Sequence, residues 1–150
     1  MTGVLVVVHL LAAAVWVGGS TALIFVGVPS VRILEGEPRG RAMRELGLRW
    51  RPLGYGSLLV AALTGVALAS RDWQHTASFQ IVLWVKVALA VCLVVVSYVH
   101  NFVLGPRLQV EVREGREQRT RPLLVAVGWT SYALTIALPI LGVVLQRLVD

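Results

Sequence analysis

The sequence predicts an all-α fold, an integral membrane bundle of four transmembrane helices, and two observations support this prediction. The 150 residues are 57% hydrophobic and 15% charged, with a mean hydropathy of +0.76, whereas a soluble domain is roughly 45–50% apolar and about 25% charged. The apolar residues form four runs, at about 3–29, 53–70, 79–104 and 122–146, and about 20 apolar residues cross a bilayer. No internal repeat is evident by inspection. The whole chain, 1–150, is predicted to be a single transmembrane domain.

Prolines mark the predicted helix boundaries. Pro52 and Pro122 stand at the starts of the second and fourth helices, where a missing N–H does little harm. Pro29 is predicted to end the first helix, and the Gly-Pro pair at 105–106 the third. Pro139 lies inside the fourth apolar run, where it is predicted to kink the helix.

Arginine is concentrated in two of the three connecting segments, and this predicts the orientation of the chain. Segment 30–52 holds six arginines and segment 105–121 holds five, whereas the loop at about 71–78 has only Arg71. Cytoplasmic loops carry an excess of Lys and Arg. Both arginine-rich segments are therefore predicted to be cytoplasmic and both termini to face outward, in a cell inner or plasma membrane. Both segments also carry glutamates and lie between apolar runs, which argues against a nucleic-acid-binding stripe.

Two further patterns are typical of helices packed in a membrane. Tryptophans are enriched at the membrane–water interface, and three of them fall near predicted helix ends: Trp50, Trp73 and Trp84. Small residues on a helix face allow close packing, and on the second helix they recur every four positions: Ala61, Gly65 and Ala69.

Three ionisable residues fall within the predicted spans: His9, Lys86 and His100. Helical spacing places them on two stripes, one of His9, Ala13, Trp16 and Ser20, and one of Lys86, Ala90, Leu93, Ser97 and His100. Because a charge facing lipid is costly, both stripes are predicted to face the bundle interior.

Depth separates the three residues. With a rise of about 1.5 Å per residue, His9 lies roughly 10 Å and Lys86 roughly 8 Å outside the midplane, and His100 lies roughly 13 Å inside it. His9 and Lys86 are therefore predicted to share an outer layer, where they can hold one ligand. His9 and His100 are too far apart to hold the same metal ion.

Less specific roles stay open for these positions. His100 can hydrogen-bond a neighbouring backbone group, Lys86 can extend to the outer head groups, and His9 can be an ordinary interior residue. Gly18 and Gly19 fit close helix packing, although their missing side chains also leave room for a flat cofactor.

The segment from His9 to Gly19, HLLAAAVWVGG, resembles the first helix of the copper resistance D (CopD) domain and of the related HemJ-type membrane protoporphyrinogen oxidases. In both families a His precedes a Trp by seven residues, and small residues follow. The segment Leu83-Trp84-Val85-Lys86 resembles their later helix, where a Lys stands near the helix start. The resemblance covers most of the chain in helix order, and the first-helix motif is its more specific part.

The resemblance implies a b-type haem, because HemJ-type proteins bind one and their matching His and Lys are functionally important. Carried over, His9 is the expected metal ligand. Lys86 is the expected catalytic residue, as a second ligand, a propionate partner or a proton donor. Trp16, Gly19 and His100 complete the expected cofactor-binding set.

Three functions are consistent with these observations. The first is a membrane haem b protein with a redox role, an oxidoreductase for electron transfer or for porphyrinogen or quinol oxidation. The second is a CopD-like copper-handling protein using His9 and His75, and the third is a structural partner without a cofactor. The bilayer and haem are the expected partners, together with further copies of the chain in a homo-oligomer. Because Cys92 is the single cysteine, no Cys-x-x-Cys-His motif can tether haem covalently.

Overall fold

The computed structural model describes residues 2–71 and 76–148, and within these ranges the chain forms four long helical segments. Each is long and apolar enough to cross a membrane: Gly3–Arg32, Gly36–Arg71, Ala77–Arg113 and Thr120–Arg147. The all-α class and the four transmembrane helices predicted from the sequence are therefore confirmed. The side of the membrane that each loop faces stays a prediction.

The chain divides into two compact units, Met1–Trp73 and Gln74–Asp150. Each unit contains two of the long helices, joined by one of the arginine-rich segments. We call the described parts of these units the first hairpin (2–71) and the second hairpin (76–148).

In the first hairpin, α1 (Thr2–Ala22) packs against α3 (Gly36–Arg71). Between them the chain passes through a π-helical turn (Leu23–Gly27) and the short α2 (Val28–Arg32). Gly36 has a φ of 58°, a value that glycine adopts without steric cost. The chain therefore reverses at this residue and enters α3.

In the second hairpin, α4 (Ala77–Tyr98) packs against α6 (Thr120–Arg147). A second π-helical turn (Val99–Leu104) and α5 (Gly105–Arg113) lie between them. Gly115, with a φ of 63°, lies in the connection from α5 to α6 and allows the corresponding reversal.

The helix α3 begins well before the position predicted from hydropathy. Pro52 was expected at its start, but it lies inside a continuous helix that begins at Gly36. The added turns are polar and are supported by ion pairs one turn apart, such as that between Glu37 and Arg41, whose oxygen and nitrogen are 2.5 Å apart. Hydropathy locates only the apolar segment, and α3 begins before the N-terminal limit of that segment.

The prediction that Pro29 and Pro106 end their helices is wrong. Each proline lies two residues after the end of a π turn, in which an N–H group bonds to the carbonyl five residues earlier, from Val28 to Leu23 and from Gly105 to His100. A proline ring clashes with the carbonyl four residues before it in an α-helix. The wider π turn moves that carbonyl aside, so the helices continue past both prolines.

The other two prolines of the membrane segments lie as predicted. Pro122 is in the first turn of α6, and Pro139 lies inside this helix. Of the tryptophans expected at interfaces, Trp84 is 61% exposed, and Trp73 falls outside the described residues.

The two hairpins repeat one pattern 77 positions apart (86 minus 9, and 142 minus 65), so the expectation of no internal repeat is wrong. The bonds that define the π turns, from 28 to 23 and from 105 to 100, show this offset. The same offset relates identical residues at many positions, among them Phe25 and Phe102, Pro29 and Pro106, Tyr55 and Tyr132, and Gly65 and Gly142. The repeat is not obvious in the sequence because the intervening apolar residues substitute freely for one another.

Candidate functional site

His9 lies on α1 and faces α3. Its Nδ1 atom lies 2.9 Å from the carbonyl oxygen of Ala61 and 3.0 Å from Oγ1 of Thr64. A carbonyl oxygen only accepts, so Nδ1 is the donor, and in the neutral form of the imidazole the lone pair is then on Nε2. The Thr64 hydroxyl donates to the carbonyl of Val60 at 2.7 Å. The threonine oxygen can therefore accept from the same imidazole N–H.

Gly65 allows the His9 ring to approach α3 closely. A Cβ atom at this position would lie 3.1 Å from Cε1 of His9 and 3.6 Å from Nδ1. The accepting carbonyl, that of Ala61, lies one helical turn before Gly65. The small residues on this face of α3 thus allow the His9 imidazole, as well as the backbone of α1, to pack closely against the helix.

Trp16 and Gly19 belong to an aromatic cluster of the first hairpin. Trp16 is 6% exposed, and its ring centroid lies 6.1 Å from those of Trp50 and Tyr55. The indole of Trp50 lies directly against Gly19 and Gly54, where a Cβ atom on either glycine would collide with it. The space above Gly19 is therefore filled by Trp50, and a flat cofactor at Gly19 would displace that indole. Trp50, expected at the membrane interface, packs between α1 and α3, and its depth in the membrane stays a prediction.

Lys86 lies on α4 and faces α6. Its Nζ atom would lie 3.2 Å from a Cβ atom at Gly142. Within the described parts of the chain, no hydrogen bond or ion pair joins this ammonium to another residue. By the 77-position repeat, Lys86 and Gly142 correspond to His9 and Gly65.

His100 lies in the second π turn, against Gly128 of α6. A Cβ atom at Gly128 would lie 3.0 Å from Cε1 of the imidazole. The ring bonds to the backbone carbonyl of Leu124, and Nδ1 is buried without a partner among the described residues. Nε2 is therefore the donor, and iron ligation through Nε2 would break this bond. The backbone hydrogen bond considered for His100 from the sequence is thus observed.

The polar stripe of α4 continues into contacts that the sequence did not reveal. Leu93 and Ser97 are 0% and 1% exposed, which places this stripe in the interior as predicted. The hydroxyl oxygens of Ser97 and Ser131 are 2.8 Å apart, and the Asn101 amide donates to the carbonyl of Ser97 at 2.9 Å. The sequence signal for this contact is Ser131 itself, a polar residue in the apolar run of α6 that faces Ser97 on α4.

The predicted copper site is only partly described. His75, its second expected ligand, falls outside the described residues. In residues 2–71 and 76–148, no group of three His, Cys, Asp or Glu side chains is arranged to hold a metal ion. Cys92 is exposed on α4.

The structure thus brings together His9, Ala61, Thr64 and Gly65 within the first hairpin. Lys86 and His100 belong to the second hairpin, where Lys86 lies against Gly142 and His100 lies against Gly128. The shared layer expected for His9 and Lys86 stays a prediction. Comparison of the chain with protein-family models, with curated proteins and with solved structures finds no match. Fold and site define an integral membrane protein with an anchored imidazole between two of its helices.

Proposed function

We propose that this protein binds haem b through His9 in the membrane and has a redox role. The observation that carries the proposal is the Nδ1–H of His9, held by the carbonyl of Ala61 at 2.9 Å. Metal-binding histidines donate their second ring N–H to a carbonyl or carboxylate in this way, which fixes the tautomer and increases the basicity of the ligating nitrogen. The resemblance of the first helix to HemJ-type proteins supports the same residue.

The donor set of this hairpin suits haem better than a bare copper ion. A haem iron is already bound by four porphyrin nitrogens, so one anchored imidazole is a complete axial contribution, whereas copper sites use several protein ligands. Haem held there would supply one-electron transfer at a potential set by its axial ligation and apolar surroundings. Copper bound by His9 and His75 is the alternative.

Each neighbour of His9 has a definable task. Ala61 and Thr64 orient the ring, and Gly65 admits it to the surface of α3. About two turns further along α1, the cluster around Trp16 fills the space between the helices. These contacts hold the imidazole in one orientation before any ligand binds, which reduces the ordering cost of binding.

Lys86 is the second functional residue of the proposal, as a ligand, a propionate partner or a proton donor. In the described part of the chain its ammonium is joined to no carboxylate. Its charge therefore suits an anionic group such as a propionate. The reaction class is electron transfer, or oxidation of a porphyrinogen or quinol.

The test is the visible spectrum of protein expressed with a haem supply and purified in detergent. We expect a Soret band with reducible α and β bands, and a haem that acidic organic solvent extracts. His9→Ala should lose most of the haem or change its spin state, because alanine has no lone pair for iron. Lys86→Ala should shift the spectrum or potential with a smaller loss of haem.

His100→Ala is the matched control, since it removes an imidazole that also lies on a glycine and bonds a carbonyl one turn earlier. It should keep the wild-type haem content. Wild-type protein without a Soret band, or a His9→Ala protein with unchanged haem, would contradict the proposal. Colourless protein that retains copper would favour the CopD-like alternative.

A further inference from the structure

An open groove lies where the α5–α6 connection meets the first turns of α6. It has a volume of about 820 Å³. Its apolar floor is formed by Pro122, Val125 and Ala126, and Arg116 and Arg121 lie at its polar end. All five residues are exposed. The groove therefore combines a cationic end with a hydrocarbon surface on a membrane-spanning helix.

Two carboxylates beside the groove are held by arginines of the same connection. Glu114 forms an ion pair with Arg116. Glu117, which also lines the groove, accepts from Nε of Arg119 at 3.0 Å. These pairs reduce the repulsion that an incoming anion would meet from the two glutamates.

The start of α6 is capped from within the chain, and this leaves an arginine as the anion-binding group. Glu111 accepts from the backbone N–H of Thr120 at 3.1 Å and from its hydroxyl at 2.5 Å. Arg121 forms no ion pair with any residue in the described ranges. Its guanidinium is thus available for an anion from outside the chain, and Arg116 lines the same groove.

We infer that this groove binds an anionic phospholipid of the leaflet that segment 105–121 faces. The phosphate would lie at Arg121 and Arg116, and an acyl chain would follow Pro122, Val125 and Ala126 along α6. Guanidinium groups form paired hydrogen bonds with phosphate oxygens, and basic sites at the ends of membrane helices bind anionic head groups. The apolar residues of the groove belong to a helix that enters the bilayer. A phospholipid is therefore the occupant whose head group can contact the arginines while its acyl chain contacts the apolar residues.

Native mass spectrometry of the detergent-purified full chain tests this inference. With equimolar phosphatidylglycerol and phosphatidylcholine, the wild-type protein should retain phosphatidylglycerol preferentially. Arg116→Gln/Arg121→Gln should weaken this retention roughly tenfold. Circular dichroism should show unchanged helix content, since both arginines are exposed.

Arg41→Gln/Arg44→Gln is the matched control. This variant removes the same amount of positive charge, but from segment 30–52. As in the test variant, one of the two arginines is in an ion pair, Arg41 with Glu37, and the other, Arg44, has no ion-pair partner among the described residues. Retention in this variant should equal that of the wild type. Soluble glycerol phosphate at the same concentration should not displace the lipid, because it lacks the acyl chain.

Three results would overturn the inference. They are equal retention of the two lipids by the wild type, equal loss in both double variants, and displacement by glycerol phosphate as effective as by phosphatidylglycerol. The second would indicate general attraction by net charge, and the third a head-group site without the apolar groove.

Discussion

Lys86 stands in the second hairpin where His9 stands in the first, and each meets a glycine 56 positions further along the chain, Gly142 and Gly65 (142 minus 86, and 65 minus 9). The imidazole has two hydrogen bonds to its partner helix, whereas no hydrogen bond or ion pair of the ammonium is found in the described chain. The same position between paired helices therefore carries two chemistries. The imidazole of His9 is held by hydrogen bonds, whereas the ammonium group of Lys86 lies at the end of a flexible side chain.

Gly65→Ala should destabilise the protein by about 1 kcal/mol. The new Cβ atom would lie 3.1 Å from the His9 ring, which cannot move away without weakening its bonds to Ala61 and Thr64. This loss exceeds the gain in helix propensity on replacing glycine by alanine. Thermal unfolding in detergent measures the change.

Gly142→Ala is the control for this substitution. The Nζ atom of Lys86 lies 3.2 Å from the added Cβ, but the end of a lysine side chain moves at little cost. The gain in helix propensity should then dominate, and stability should be equal to or above that of the wild type. An equal loss in both variants would show that the His9 hydrogen bonds are not the cause.

Gly19→Ala should destabilise the protein by about 2 kcal/mol, because its Cβ atom would collide with the indole of Trp50. Its neighbour provides the comparison: beyond its own turn of α1, a Cβ atom at Gly18 would meet no heavy atom of the described residues within 4 Å. Gly18→Ala should leave the unfolding temperature unchanged or higher. If the two alanines have the same effect, Trp50 does not pack on α1 as described.

Ser97 and Ser131 should show a coupling energy of about 0.6 kcal/mol, the average for hydrogen bonds between membrane helices. Their oxygens are 2.8 Å apart, and Ser97 is 1% exposed. A double-mutant cycle with alanine at each position, measured by unfolding in detergent, isolates this term. Strict additivity of the two substitutions would exclude the bond.

Thiol labelling in intact cells tests the predicted orientation. In a Cys92→Ala background, Thr76→Cys should react with an impermeant reagent and Gln118→Cys should be shielded, because arginine-rich loops face the cytoplasm. Gln118 is exposed in this connection, whereas a cysteine at Gly115 would be strained by the φ of 63°. The reverse labelling pattern would contradict the orientation.

Hydropathy and helical spacing predict much of this fold. They locate four helices and place His9 and Ser97 on interior faces, because apolar length and a 3.6-residue period are properties of the sequence itself. They do not find the start of α3, since a polar helix beyond the bilayer has no hydropathy signal. They also do not predict the packing of the Trp50 indole against Gly19 and Gly54, because hydropathy and helical spacing carry no information on which side chain fills the space beside a glycine.

The repeat of the two hairpins has a consequence for how such a chain evolves. A unit that crosses the bilayer an even number of times can be copied head to tail, and both copies then keep the same orientation. The arginine-rich loop of each copy then lies on the same side of the membrane, so neither loop has to change its charge. Equivalent positions of two such units can then carry different side chains, as His9 and Lys86 do here, each against a glycine.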